Sequence, residues 1–130
     1  MNNLWYDMLI KPALNPPSWV FGPAWTILYI LMLVSFIIIW RQGLWRREVK
    51  EAVYIFIIQL ILNLIWSPLF FSLQNPFLAF IDIIILWVAI IFTIFNFFKI
   101  SKTAGWLLVP YILWVSFAMY LNWGILVLNQ

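Results

Sequence analysis

Four long runs of apolar residues limit most strongly what this chain can fold into. They cover about residues 20–40, 51–71, 76–98 and 104–128. Each run is close to the roughly 20 apolar residues that a helix needs to cross the hydrocarbon core of a bilayer. Helices satisfy all their backbone polar groups internally, as lipid demands. The sequence therefore predicts an all-α fold, a polytopic membrane helix bundle with four transmembrane helices.

The composition leaves little room for a soluble domain. The chain has 130 residues, of which 67% are hydrophobic and 8% charged, and its mean hydropathy is +1.06. Soluble domains carry about 25% charged residues. A soluble protein this small exposes too much of its surface to water to hide so much apolar side chain. We therefore predict one membrane domain over residues 1–130, with the lipid bilayer as its surroundings.

The first 19 residues do not form a span. Pro12, Pro16 and Pro17 lack the backbone donor that a helix interior needs. No basic region precedes an apolar core, so we do not expect the segment to act as a signal peptide. We predict that residues 1–19 form an ordered loop or short helix at the interface, an extracytoplasmic segment that closes the bundle as a lid.

The basic residues predict the orientation. Six of them lie in the first and third connections, and one lies on the other side: Arg41, Arg46, Arg47, Lys50, Lys99 and Lys102 against Lys11. Cytoplasmic loops carry such an excess. We therefore expect the loops 41–50 and 99–102 in the cytoplasm, and the N-terminal segment and C-terminus outside, in a bacterial cytoplasmic membrane. The net charge of +3 comes from basic residues in these two loops, and topology accounts for their position there. Nucleic acid is therefore not an expected partner.

Polar and aromatic residues inside the runs recur at helical spacing. One face of the second run has Gln59, Asn63, Trp66 and Phe70, and one face of the fourth has Tyr111, Trp114, Ala118 and Asn122. The first run adds a face with Trp25, Tyr29 and Met32, and the third a face with Asp82, Leu86, Ala89, Thr93 and Asn96.

These faces allow two interpretations. In the first, they are helix–helix contacts, because amide side chains bond between helices and small residues permit close approach. In the second, they surround an internal pocket. Trp25, Trp66 and Trp114 would form its walls, and Gln59, Asn63 and Asn122 would supply its polar groups. Sites of this kind, mostly apolar with few polar groups, occur between the helices of bundles.

Asp82 is the acid that lies well inside a run. A capping or interhelical hydrogen bond is the favoured interpretation, and a proton or coupling site is the alternative. Conventional catalysis is not expected, because the chain has no His and no Cys. No metal site is predicted and no cofactor is required. A flat apolar ligand held against Trp and Tyr rings remains compatible with this composition.

The motifs together resemble the TspO/MBR family, the tryptophan-rich sensory proteins related to the mitochondrial translocator protein. The resemblance follows the chain in order through Trp5-Tyr6, Lys11-Pro12, Pro16-Pro17, Trp19-Val20-Phe21-Gly22-Pro23, Trp25, Tyr29, Gln59, Asn63, Trp66-Ser67, Phe70-Phe71, Pro76, Pro110-Tyr111, Trp114, Phe117-Ala118 and Leu121-Asn122. The family has five helices, and this chain is expected to lack the first of them. Lipid or a second copy of the chain would then cover the bundle there.

The resemblance implies a ligand pocket between the helices, closed by the N-terminal loop. Its ligands would be tetrapyrroles such as protoporphyrin IX, or other flat hydrophobic molecules. The resemblance places these residues in the site: Tyr6 and Pro16 in the lid, Trp25 and Tyr29 on the first span, Asn63, Trp66 and Ser67 on the second, and Trp114 and Ala118 on the last.

The resemblance leaves three functions open. The first is a tetrapyrrole-binding membrane sensor or transporter, expected to be a homodimer. The second is light-dependent porphyrin degradation, as described for some bacterial relatives, with Trp25 and Trp114 as its catalytic residues. The third is a structural or regulatory membrane subunit that binds other helices and no ligand.

Overall fold

Helices make up the body of the protein. The computed structural model describes residue 5, residues 8–12 and residues 18–129. A 3₁₀ turn, Ser18–Val20, leads into α1 (Phe21–Trp40); then come α2 (Arg47–Ser67), a π-helical turn (Pro68–Ser72), α3 (Pro76–Ile100), α4 (Lys102–Leu107) and α5 (Val109–Leu128). No strand occurs in these ranges. The prediction of an all-α fold is confirmed.

Four stretches of the described chain are long and apolar enough to cross a membrane. They are Phe21–Trp40, Arg47–Ser72, Pro76–Ile100 and Lys102–Leu128. Much of their apolar surface points outward: Leu33 on α1, Ile61 on α2 and Phe95 on α3 are each more than half exposed. A water-soluble bundle would bury such side chains, whereas lipid accepts them at no cost.

The second and fourth spans differ in detail from the sequence prediction. Residues 47–50 were predicted as loop, but α2 begins at Arg47. Charged residues are good helix formers, and a helix can extend beyond the hydrocarbon layer. Residues 99–102 were also predicted as loop, but Ser101 alone separates α3 from α4. The fourth span is broken at Leu108, because Pro110 has no backbone N–H for the carbonyl four residues earlier.

α3 occupies the centre of the bundle, against α2 on one side and α4 and α5 on the other. α1 packs mainly on α4 and α2. The buried Ser35 hydroxyl of α1 donates to Ala104 O of α4 at 2.7 Å, and Phe56 of α2 stacks on Phe97 of α3 at 5.8 Å between ring centroids. These contacts hold one end of the bundle tightly together. α1 makes few contacts with α5, which leaves space between them toward the other end.

The two ends of the bundle differ in charge. We call the end with residues 41–46 and 99–102 the basic end, and the end with residues 73–75 the turn end. At the basic end Gly43 has a φ of +105°, which an L side chain rarely adopts, so glycine allows the tight connection there. At the turn end the Asn75 side chain accepts a hydrogen bond from Leu78 N and caps α3.

Candidate functional site

A cavity of about 310 Å³ lies between α1, α2 and α5 in the turn-end part of the bundle. That volume is at the lower end of the range usual for small-molecule sites. The cavity is partly open, and Tyr29 at its edge is more than a third exposed. Its lining consists of Phe21, Gly22, Trp25, Tyr29, Asn63, Trp66, Ser67, Phe70, Phe71, Trp114, Ala118, Leu121, Asn122 and Ile125.

Two tryptophans from different helices form one wall. The rings of Trp25 on α1 and Trp114 on α5 meet nearly at right angles, with 6.3 Å between centroids. Phe21 contacts Trp114 from the next turn of α1, at 5.9 Å. Edge-to-face packing of this kind is favourable because the ring edge is positive and the face negative. The Trp114 Nε1 donor is buried without an acceptor among the described residues, so packing alone fixes that ring.

A third tryptophan forms the opposite wall. Trp66 stacks on Phe70 at 5.1 Å and donates its Nε1 proton to Asn122 Oδ1 at 2.9 Å. Asn122 Nδ2 in turn donates to Pro76 O at 3.0 Å. The π-helical turn after Ser67 places Phe70 and Phe71 at this wall, and such turns are frequent at functional sites.

Polar side chains form a chain of hydrogen bonds that begins at the cavity and leads into the bundle. The Tyr29 hydroxyl donates to Asn63 Oδ1. Asn63 Nδ2 donates to the Tyr111 hydroxyl at 2.7 Å, which donates to Gln59 Oε1 at 2.7 Å. Tyr29 and Asn63 line the cavity, whereas Tyr111 and Gln59 are almost fully buried behind it. The cavity is thus apolar except near Asn63, Ser67 and Asn122.

Seven of the nine predicted site residues line this one cavity: Trp25, Tyr29, Asn63, Trp66, Ser67, Trp114 and Ala118. The other two, Tyr6 and Pro16, lie outside the described residues. Gln59, interpreted from its spacing as a pocket residue, instead lies behind Tyr111.

The sequence interpretation missed several apolar lining residues: Phe21, Gly22, Phe71, Leu121 and Ile125. Helical spacing could have identified two of them, because residues three or four apart share a helix face. Phe21 lies four residues before Trp25, and Leu121 lies three residues after Ala118.

The described part of the N-terminal segment lies across the turn end. Trp5 packs edge-on against Phe70 with 5.4 Å between centroids. Pro12 packs against Gly124, where a β-carbon would come within 2.9 Å of the proline ring. The Asn129 side chain pairs with Ile10, accepting from Ile10 N at 2.9 Å and donating to Ile10 O at 2.7 Å. The end of α5 therefore fastens this segment beside the cavity.

We expect Asn129→Ala to release residues 8–12 from α5. The substitution removes both bonds to Ile10, and each is worth about 1 kcal/mol. Together the two bonds amount to about 2 kcal/mol, so amide exchange at Ile10, measured by NMR or mass spectrometry, should accelerate by about 30-fold. Asn96→Ala is the control, because the Asn96 amide donates to Phe92 O within its own helix. Unchanged exchange at Ile10 in Asn129→Ala would show that other contacts hold the segment.

Comparison with known proteins agrees with this architecture over nearly the whole chain. The sequence profile of the TspO/MBR family matches residues 1–128. The chain is 48% identical over 125 residues to "Tryptophan-rich protein TspO" of Chlorobaculum tepidum, covering 96% of this chain and 79% of that protein. It is 36% identical to "Tryptophan-rich sensory protein" of Cereibacter sphaeroides, covering 96% and 77%.

The similarity extends to mammals. The chain is 34% identical over 127 residues to "Translocator protein" of Ovis aries, covering 97% of this chain and 75% of that protein. Four spans of sufficient length and apolarity, together with these matches, make the chain an integral membrane protein. With its cavity walled by tryptophans from three helices, the protein belongs to the TspO/MBR family.

Proposed function

We propose that this protein binds a flat hydrophobic ligand, a tetrapyrrole such as protoporphyrin IX, in the cavity, and acts as a membrane sensor or transporter. The observation that carries the proposal is the aromatic wall. Trp25, Trp66 and Trp114 reach the same cavity from three helices. Large planar rings bind well to such surfaces through offset stacking and edge contacts.

The polar groups at the cavity also suit such a ligand. Asn63 and Asn122 are already bonded to Tyr111 and Trp66, so their orientation is fixed before any ligand arrives. A mostly apolar pocket with a few oriented polar groups is the usual form of a small-molecule site. The names of the relatives, a sensory protein and a translocator protein, support sensing or transport as the use of that binding.

A second candidate function is light-dependent breakdown of the porphyrin, with dissolved dioxygen as the oxidant. The contact between the Trp25 and Trp114 rings favours it. Both rings would lie against a bound porphyrin, where an excited ligand can exchange an electron with an indole. No other cofactor is required in either case.

The proposal includes a location and partners. The basic end would face the cytoplasm of a bacterium, since six Lys and Arg residues lie in residues 41–50 and 99–102, and the turn end would face outward. The cavity would then open on the outer side, below the segment that Asn129 fastens. A second copy of the chain is the expected protein partner, and the bilayer provides the remaining surroundings.

Titration with protoporphyrin IX in detergent tests the proposal. We expect saturable quenching of Trp fluorescence in the dark, with affinity lowered in Trp114→Phe. Trp106→Phe is the control, since Trp106 lies at the basic end and is 64% exposed. The absence of saturable quenching would contradict binding and favour a structural subunit.

Illumination of the same samples separates the two candidates. A stable Soret band supports a sensor or transporter. Bleaching that requires light and Trp114, and that stops without dioxygen, supports degradation.

A further inference from the structure

Asp82 is a buried acid that the proposed ligand site does not use. It lies on α3 and is 7% exposed. The sequence interpretation favoured a hydrogen bond for it, and the structure contradicts this: its Oδ2 is buried without a partner among the described residues. In an ionised carboxylate this Oδ2 would lack both water and a donor, which is costly in the interior of a bundle.

The surroundings of Asp82 supply no positive charge. α3 packs against α2, α4 and α5. The uncharged titratable side chains of these helices are tyrosines: Tyr111 of α5 is buried, and Tyr54 of α2 and Tyr120 of α5 are exposed. The charged residues of the helices are exposed and lie at or near the basic end, away from Asp82: Arg47, Glu48, Lys50 and Glu51 of α2, Lys99 of α3 and Lys102 of α4. The π-helical turn carries none.

The hydrogen-bond chain from the cavity ends beside an unused donor. Each donor along it points away from the cavity, from Tyr29 to Asn63, to Tyr111 and to Gln59. Gln59 Nε2 is buried and has no acceptor among the described residues. The interior thus contains an unused donor, Gln59 Nε2, and an unused acceptor, Asp82 Oδ2. Asp82 follows Pro76 by six residues, about 9 Å along α3. The Pro76 carbonyl accepts from Asn122 of the cavity lining, so α3 connects the acid to the cavity.

We propose that Asp82 is a proton-binding site coupled to the cavity, so that a carboxylate-bearing ligand binds together with a proton. The ligand class rests on the proposed function. Negative charge in the cavity makes an ionised Asp82 less favourable, because the medium between them is apolar and screens little. This linkage is reciprocal. Protonation of Asp82 raises the affinity for the anion by the same factor by which the bound anion raises the proton affinity of Asp82.

The test compares an anionic with a neutral porphyrin. Protoporphyrin IX carries two carboxylates, and its dimethyl ester carries none. In the wild type, the affinity ratio of acid to ester should rise about tenfold from about pH 8 to about pH 5. Asp82→Asn should reduce this dependence to the part that comes from the porphyrin's own carboxylates, and it should leave ester binding unchanged. Glu51→Gln is the control, because Glu51 is an exposed acid paired with Arg47.

A second measurement does not depend on the porphyrin. In infrared spectra of the ligand-free protein, a protonated carboxyl band should grow as the pH falls from about 8 to about 5, and this band should be missing in Asp82→Asn. The absence of that band would overturn the proton site, and a pH dependence as large in Asp82→Asn as in the wild type would overturn the coupling. If no variant binds either porphyrin, the proposed function and the coupling both fail, and the infrared band still decides whether Asp82 binds a proton.

Discussion

Ala118→Phe is expected to weaken protoporphyrin binding by about 100-fold or more. Ala118 is buried on α5 and lines the cavity between Trp114 and Asn122. Side chains on a helix lean toward its N-terminus, so an added ring would extend toward Trp114. It would occupy space that the ligand needs. A 100-fold loss corresponds to about 2.7 kcal/mol, a modest fraction of the binding free energy of a micromolar ligand.

Leu113→Phe is the matched control for this prediction. It adds a ring on the same helix at a position that is 65% exposed on the outer face of the bundle. We expect its affinity to stay within about twofold of wild type, since surface substitutions change little. Folding is compared through thermal unfolding in the same detergent. Wild-type affinity in Ala118→Phe would show that the ligand binds outside this cavity. An equal loss of affinity in Leu113→Phe would indicate a general effect on α5.

The fold could be predicted because lipid restricts the choices. Four apolar runs separated by short polar connections leave only helices crossing the bilayer. The helix bounds were less certain, since composition marks the edge of the hydrocarbon layer rather than the end of a helix. Arg47 and Lys50 belong to α2 although they lie beyond its apolar part. Pro110 is visible in the sequence, but a proline can bend a span or end a helix, and spacing alone does not place the break at Leu108.

The cavity could be predicted in part, because unusual residues stand out against an apolar background. Tryptophan and asparagine at helical spacing marked the inner faces of α2 and α5. Phe71 and Ile125 carry no such mark, since apolar side chains face lipid and cavity alike. Gln59 lies on the same face of α2 as Asn63, but its side chain bonds to the Tyr111 hydroxyl and does not reach the cavity. Whether a side chain reaches the cavity depends on how its helix is rotated about its axis and how deep the residue lies in the bundle. Sequence spacing gives neither quantity.

Tyr111→Phe is expected to destabilise the bundle by about 2 kcal/mol. The Tyr111 hydroxyl accepts from Asn63 Nδ2 and donates to Gln59 Oε1, and both partners are buried. Phenylalanine keeps the ring and its packing but leaves both amide groups without this bond. Each buried group that loses its partner costs about 1–3 kcal/mol. We take the lower part of that range, because hydrogen bonds inside membrane proteins average about 0.6 kcal/mol in double-mutant cycles.

Tyr54→Phe provides the comparison, because Tyr54 lies on α2 and is 69% exposed. Reversible unfolding in mixed micelles measures the free energy of both variants, and the Tyr54 change should stay within about 0.5 kcal/mol of wild type. Equal values for the two variants would mean that water or lipid headgroups replace the Tyr111 hydroxyl. A loss confined to Tyr111→Phe would show that the polar chain from Tyr29 to Gln59 holds α1, α2 and α5 together. The same bonds would then shape the cavity, since Tyr29 and Asn63 belong to both.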